Sequence, residues 1–138
     1  MDRVFLDANV LFSAAYKKTR LRTLSTLPNI TLLSSSYAVT EAETNLARER
    51  SEAVKELEEL LETVTIVKVS NTQTRSPSVA ALEQKDRPIL LAAISAKATH
   101  LLSGDQKHFG HLFGTKVEEV LILPPAQYFQ KILGSQDI

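Results

Sequence analysis

The 138-residue chain contains no cysteine, which excludes disulfides, zinc–thiolate centres and thiol catalysis and fits a reducing compartment. A cytoplasmic location is therefore expected. Long apolar runs are missing as well. Nothing approaches the roughly 18 consecutive apolar residues that would span a bilayer, and the first apolar run, at residues 4–6, is cut by Asp7 far short of signal-peptide length. No membrane partner is expected of such a sequence. An excess of either charge is also lacking, since sixteen basic and sixteen acidic side chains cancel. The molecule as a whole offers no cationic field of the kind that holds DNA nonspecifically, so any nucleic-acid contact has to be local. There is no internal repeat.

What is present suits one ordinary core. With 43% apolar residues and this length, a single domain over residues 1–138 is expected. Apolar runs bounded by turn residues predict strands at 3–6, 30–33, 64–69, 100–102 and 119–123. Helical periodicity predicts helices at 8–16, 20–27, 37–48, 52–62, 88–98 and 126–133, with the first two open to being continuous. Such alternation argues for an α/β fold, with a central, mostly parallel sheet of about five strands and helices on its faces. Residues 70–78, rich in Ser, Thr, Asn and Gln, have linker character but are too few to separate domains. Residues 52–62 read as an acidic amphipathic helix with Val54, Leu57, Leu60 and Leu61 on one side, fit to pack on the sheet or on a second subunit in a homodimer. Lys17, Lys18, Arg20 and Arg22 place four cations within six residues, either phosphate contacts or a solvated helix face.

Ligands of open parallel sheets bind beyond the carboxyl ends of the strands, so the residues just past each apolar run matter most. Asp7 directly follows Val4, Phe5 and Leu6, and Asp105 follows Leu101 and Leu102 through Ser103 and Gly104. If the two strands are parallel, both acids project at one edge. Asp86 reaches the same edge by arithmetic, because about 11 helical residues advance roughly 16 Å and about five strand residues bring the chain back. Glu41 is harder to place. A helix over 37–48 buries Ala38, Val39, Ala42 and Leu46, which leaves Glu41 and Glu43 on opposite flanks, with Asn45 sharing the flank of Glu41. Periodicity does not choose between the two glutamates. Each acid also has a plain structural role open to it: Asp7 and Asp86 as helix caps, Asp105 as a turn residue, Glu41 as solvated surface. Convergence of several acids on one sheet edge is what capping alone does not require.

At these residues the sequence resembles the PIN-domain family. The opening Val4-Phe5-Leu6-Asp7-Ala8-Asn9-Val10-Leu11 is similar to the family's first strand, first acid and the polar residue two places on. Ser35, Glu41 and Leu46 resemble the helix with the second acid, which favours Glu41 over Glu43. Asp86-Arg87-Pro88-Ile89-Leu90 resembles the third-acid helix, and Leu101-Leu102-Ser103-Gly104-Asp105 the strand and turn that carry the fourth. Leu123-Pro124-Pro125-Ala126 and its helix look like the closing segment, so the resemblance covers nearly the whole chain. It departs where many relatives carry a further acid just after the fourth, since Gln106, Lys107 and His108 stand here. The count of metal ions, one or two, is left open by that departure. His108 is open too, between a contact to substrate or metal and a packing role beside Phe109.

The resemblance implies a metal-dependent endoribonuclease acting on single-stranded RNA, a toxin of a toxin–antitoxin pair being one version, with an antitoxin protein as partner. Asp7 and Asp105 are then the principal metal ligands, Asp86 a ligand or positioner, and Glu41 the residue that orients water, with Asn9 and Ser103 bracing the ligands. The chemistry is consistent with that. Two carboxylates about 4 Å apart repel by roughly 4 kcal/mol at an effective dielectric near 20, so four in one cleft need a cation. Oxygen ligands suit Mg²⁺ or Mn²⁺ rather than zinc. Two other readings share the acids: a non-catalytic PIN-like module that binds RNA or a protein, and another acid-pocket α/β enzyme. A haloacid-dehalogenase-like phosphatase is disfavoured, because Asn9 stands where its second aspartate belongs.

Overall fold

In the computed structural model, which describes residues 1–17, 20–68 and 76–134, the first apolar run becomes β1 (Asp2–Leu6), with Val4, Phe5 and Leu6 completely buried. Burial on both faces is what a central strand of a parallel sheet requires. The chain continues through α1 (Ala8–Tyr16) and α2 (Leu21–Leu24) into β2 (Ile30–Ser35), parallel to β1. α3 (Ser36–Glu49) and α4 (Val54–Leu61), joined by a 3₁₀ turn, lead to β3 (Val64–Val67) at the sheet edge. α5 (Pro77–Ala80) and α6 (Arg87–Ser95) then carry the chain to β4 (His100–Leu102), on the other side of β1. α7 (Gln106–Phe109), a hairpin of β5 (Lys116–Val117) and β6 (Val120–Leu123), and α8 (Pro125–Leu133) complete the described chain.

The fold is therefore α/β, with a six-stranded sheet in the order β3-β2-β1-β4-β6-β5, parallel except for β5. From β1 the chain winds outward first through β2 and β3, then in the opposite direction through β4 and β6. With right-handed crossovers the two directions put α1 and α3 on one face and α6 on the other. The reversal between β1 and β4 is the point where an open α/β sheet leaves a crevice at its carboxyl edge. One continuous cluster of buried side chains, including Phe5, Leu33, Leu101, Phe109 and Tyr128, fills the space between sheet and helices.

Several boundaries differ from the sequence-based expectation, each for a local reason. The sheet has six strands rather than about five, because β5 is only two residues long and so shows no period. It pairs with β6 through a tight turn whose Glu118 and Glu119 both have positive φ, at 49° and 72°. Asn and Gly usually mark such a turn, and neither is there. The helices at 8–16 and 20–27 are not continuous: Lys17 is extended at φ −116°, ψ 146°, and α2 keeps only four residues. The helix expected to reach residue 98 stops at Ser95, because Lys97 turns left-handed at φ 55° and the Ala98 amide bonds back to the Ala93 carbonyl. That is a Schellman closure with lysine where glycine is usual. The linker-like stretch resolves at its end into α5, while residues 70–75, like Val69 of the expected third strand, lie outside the described residues. The apolar side of residues 52–62 is covered within the chain, Leu57 and Leu60 being buried in the common core. Among the described residues no helix is long and apolar enough to cross a membrane.

Candidate metal centre

Asp7 leaves the end of β1 only 5% exposed, an unusual position for a carboxylate. Its Oδ1 accepts from the Ala8 amide at 2.7 Å, so it does cap α1. Its Oδ2 accepts from the Ser103 hydroxyl at 2.7 Å and from Asn9 Nδ2 at 3.2 Å. Ser103 and Asn9 also tie the β1 and β4 ends together, since the Asp105 amide donates to Ser103 Oγ at 3.2 Å and the Gly104 amide to Asn9 Oδ1 at 2.8 Å. Burial raises the Asp7 pKa to about 6. The bonds from Ser103 and Ala8 offset part of that rise, while Glu41 and Asp105 add to it.

Asp105 follows β4 and caps α7, accepting from the His108 amide at 3.1 Å on Oδ1 and meeting His108 Nδ1 at 2.7 Å on Oδ2. Burial pushes its pKa up, but the side-chain and backbone bonds from His108 outweigh burial and hold it below the ordinary carboxylate value. Asp86 precedes α6 yet makes no side-chain capping bond, so its expected role as a cap is not realised. Its Oδ2 is buried without any hydrogen-bond partner, 3.7 Å from His108 Nδ1. Burial raises the Asp86 pKa, with Asp105 and Glu83 adding to the rise and His108 and Lys85 opposing it.

Glu41 reaches the same place from α3. Ser35 ends β2 and at once caps α3, its Oγ accepting from the Ala38 amide at 3.2 Å, so strand passes into helix with no loop. That junction sets the phase of the helix. Asp7, Glu41, Asp86 and Asp105 line one cleft of about 340 Å³, together with Asn9, Asn45 and Lys85. Glu43 is not among the described residues that line it.

Two further participants stand at the site, His108, whose role the sequence leaves open, and Lys85, which the sequence does not single out. His108, with a side chain only 13% exposed, stands among three carboxylates: Asp105, Asp86 and Glu83, the last 3.5 Å from Nε2. Glu83, Asp86 and His108 each offer a donor atom, and the three atoms lie within 4.8 Å of one another. The signal was a pair of i, i+3 spacings, Glu83 to Asp86 and Asp105 to His108, on elements too short to show periodicity. Lys85 is the second, a cation at the cleft from the turn before α6. Of the expected cationic run, Lys17 lies 5.2 Å over the ring of Tyr16, a cleft residue, with the Arg50 guanidinium at the same distance. Arg22 pairs with Glu56 on the surface at 3.2 Å, Arg20 precedes α2 without a side-chain capping bond, and Lys18 lies outside the described residues.

A family model described as "PIN domain" matches residues 3–107. Among solved structures, the chain is similar to VapBC2 from Rickettsia felis bound to a DNA fragment from their promoter, at TM-score 0.62 and 16% identity over 88% of this chain and 98% of that one. It is also similar to VapBC-1 from nontypeable Haemophilus influenzae, at TM-score 0.59 and 15% identity over 88% and 97%. A third likeness is to a toxin–antitoxin complex from Klebsiella pneumoniae, at TM-score 0.59 and 19% identity over 83% and 97%. At such identities the structures speak for the fold. No curated protein matches the chain.

Proposed function

The chain belongs to the PIN-domain family, and from that premise we propose that it is a Mg²⁺- or Mn²⁺-dependent endoribonuclease that hydrolyses single-stranded RNA. One observation carries the reading: four acids from four separate elements, Asp7, Glu41, Asp86 and Asp105, line a single cleft at the switch point of the sheet. The residues fit a divalent cation. The Asp86 Oδ2 atom is buried with no partner and Asp7 holds a raised pKa, so both lack a positive neighbour sufficient for their charge.

Asp7, Asp86 and Asp105 would hold the metal, one ion or two. When bound there, it supplies a water of lowered pKa and countercharge for the scissile phosphate. Ser103 and Asn9 fix the Asp7 carboxylate by donating to Oδ2, which aims Asp7 before any ligand arrives. Glu41 takes the role of orienting the attacking water and accepting its proton. Lys85, Lys17 and Arg50 supply local positive charge for flanking phosphates, as a chain of zero net charge requires. Of the structural neighbours named above, two are VapBC structures and the third is a toxin–antitoxin complex. That likeness supports a toxin held in check by an antitoxin protein, working in the cytoplasm.

The test is Mn²⁺-dependent cleavage of an unstructured RNA by wild type and by Asp7→Asn and Asp105→Asn. Loss in both variants is expected. Equal cleavage by all three proteins would remove these acids from the mechanism.

A further inference from the structure

Tyr37 is the second residue of α3 and stands 42% exposed, one of three large hydrophobic side chains left so open among the described residues. Its ring is nonetheless held in place. The hydroxyl donates to the Lys85 carbonyl at 2.7 Å, which ties the start of α3 to the turn before Asp86. Glu41 lies one helical turn on, at i+4, and so on the same face. A shallow recess of about 420 Å³ lies beside the ring, lined by Ser36, Tyr37, Thr40 and Glu41. Glu41 lines both this recess and the acidic cleft, so the two adjoin at its side chain. Ser36 and Thr40 are short, and neither covers the ring with a bulky side chain.

An anion is a poor occupant, because Glu41 borders the recess; burial raises the Tyr37 hydroxyl pKa, and Glu41, Asp86 and Asp7 add to the rise against the opposing charge of Lys85. A cation would be drawn on into the cleft. The surface instead suits a flat neutral group attached to something anchored at the carboxylates. A nucleobase answers that description, since it presents a π face to an aromatic ring while its own phosphodiester lies in the neighbouring cleft. Resting on the ribonuclease reading above, we propose that Tyr37 and its recess form a base-stacking subsite that takes one nucleobase of the substrate RNA next to the scissile phosphate. Lys85 links the two parts, holding the ring through its carbonyl while itself lining the cleft. Stacking of this kind tolerates any base, so the subsite sets which strands bind and in what register rather than reading a sequence.

The chain has no tryptophan, so Tyr37→Trp creates a single fluorescent reporter inside the recess. With the acids intact and Ca²⁺ in place of Mg²⁺, so that the carboxylates are still occupied by a divalent cation while turnover does not interfere, a short oligoadenylate should quench it. An abasic ribose-phosphate oligomer of the same length should not. Equal quenching by both, or by neither, overturns the subsite; a protein segment as the true occupant would give the second result. In cleavage assays Tyr37→Leu should raise KM about tenfold with kcat within about a factor of two, and Tyr37→Phe, which keeps the ring but loses its anchor, should fall between. Wild-type KM in the leucine variant overturns the subsite while leaving the nuclease intact. Base-dependent quenching in a protein whose wild type cleaves nothing does the opposite: the subsite stands and the nuclease reading falls.

Discussion

At the carboxyl edge of the sheet, Asp7, Glu41, Asp86 and Asp105 share one cleft, and beside it the His108 imidazole meets Asp105 Oδ2 at 2.7 Å. At the amino edge of the same strands, polar groups are equally close but paired off. Tyr128 donates to Asp2 Oδ2 at 2.7 Å, Arg3 donates to the Ala96 carbonyl at 2.9 Å, and Thr99 Oγ1 accepts from the Arg3 amide at 2.9 Å. Among the described residues each edge also has one orphan. At the amino edge it is His100 Nε2, on a ring packed edge-on against Tyr128, and burial lowers the His100 pKa so the ring stays neutral. At the carboxyl edge it is Asp86 Oδ2, part of an acid. A neutral orphan costs a modest amount of desolvation, whereas a carboxylate that must ionise calls for a cation. One edge is built to close the fold, and the other to receive something.

Substitution breaks the comparison most sharply. If the proposed metal centre is right, Asp7→Asn and Asp105→Asn should each lower Mn²⁺-dependent RNA cleavage by about a hundredfold or more, since each would remove a charge that holds the metal. Initial rates on a labelled unstructured RNA measure this. A loss under about threefold in either variant would put the reacting phosphate elsewhere.

The next effect is on stability against pH in the metal-free protein. Asp7 rises from 3.8 to about 6 on folding, so the folded state holds a proton that the unfolded chain has released. Its contribution is fully present below pH 4 and is lost as pH rises through 6, a decline of up to about 3 kcal/mol. Asp86 is shifted the same way and Asp105 the opposite way, so they partly cancel. Urea melts at pH 4.5 and 7 should show the fall, and Asp7→Asn should flatten it. An unchanged slope in the variant would mean that Asp7 is not the strained group.

Metal should undo that strain. Mn²⁺ at about a hundred times its Kd stabilises a single-site protein by about 2.7 kcal/mol, seen as a rise in Tm that Asp7→Asn abolishes. A Tm indifferent to millimolar Mn²⁺ would favour the non-catalytic module over the hydrolase.

Asp7 and Asp105 are legible as edge acids from the sequence because Asp7 directly follows an apolar run and Asp105 follows one through the short Ser103-Gly104 turn, and a buried parallel strand must deliver the residues after it to the carboxyl edge. Asp86 follows from helix and strand rises alone. The choice of Glu41 over Glu43 is not available from periodicity, since the phase of α3 depends on Ser35 ending a strand and capping a helix at once. Lys85 escapes, and the role of His108 stays open, for a different reason: a four-residue helix and a turn carry no period, and what they meet is decided by tertiary contact. β5 is missed in the same way, its turn being made by two glutamates held at positive φ.

The smallest effect belongs to the amino edge. Tyr128→Phe removes only the hydroxyl that donates to Asp2. Asp2 is half-buried rather than sealed in, so water can replace the lost donor, and the ring still packs on His100. The cost should be about 1 kcal/mol, or roughly 3–5 °C in Tm for a chain of this size. Cleavage at saturating Mn²⁺ should stay at the wild-type rate, because nothing at this edge touches the acids. The strands β1 and β4 do connect the two edges, Asp2 beginning the strand that delivers Asp7 and His100 the strand that leads to Asp105. If the variant instead loses cleavage in step with Asp7→Asn while remaining folded, those strands transmit strain from one edge to the other, and the division of labour between them does not hold.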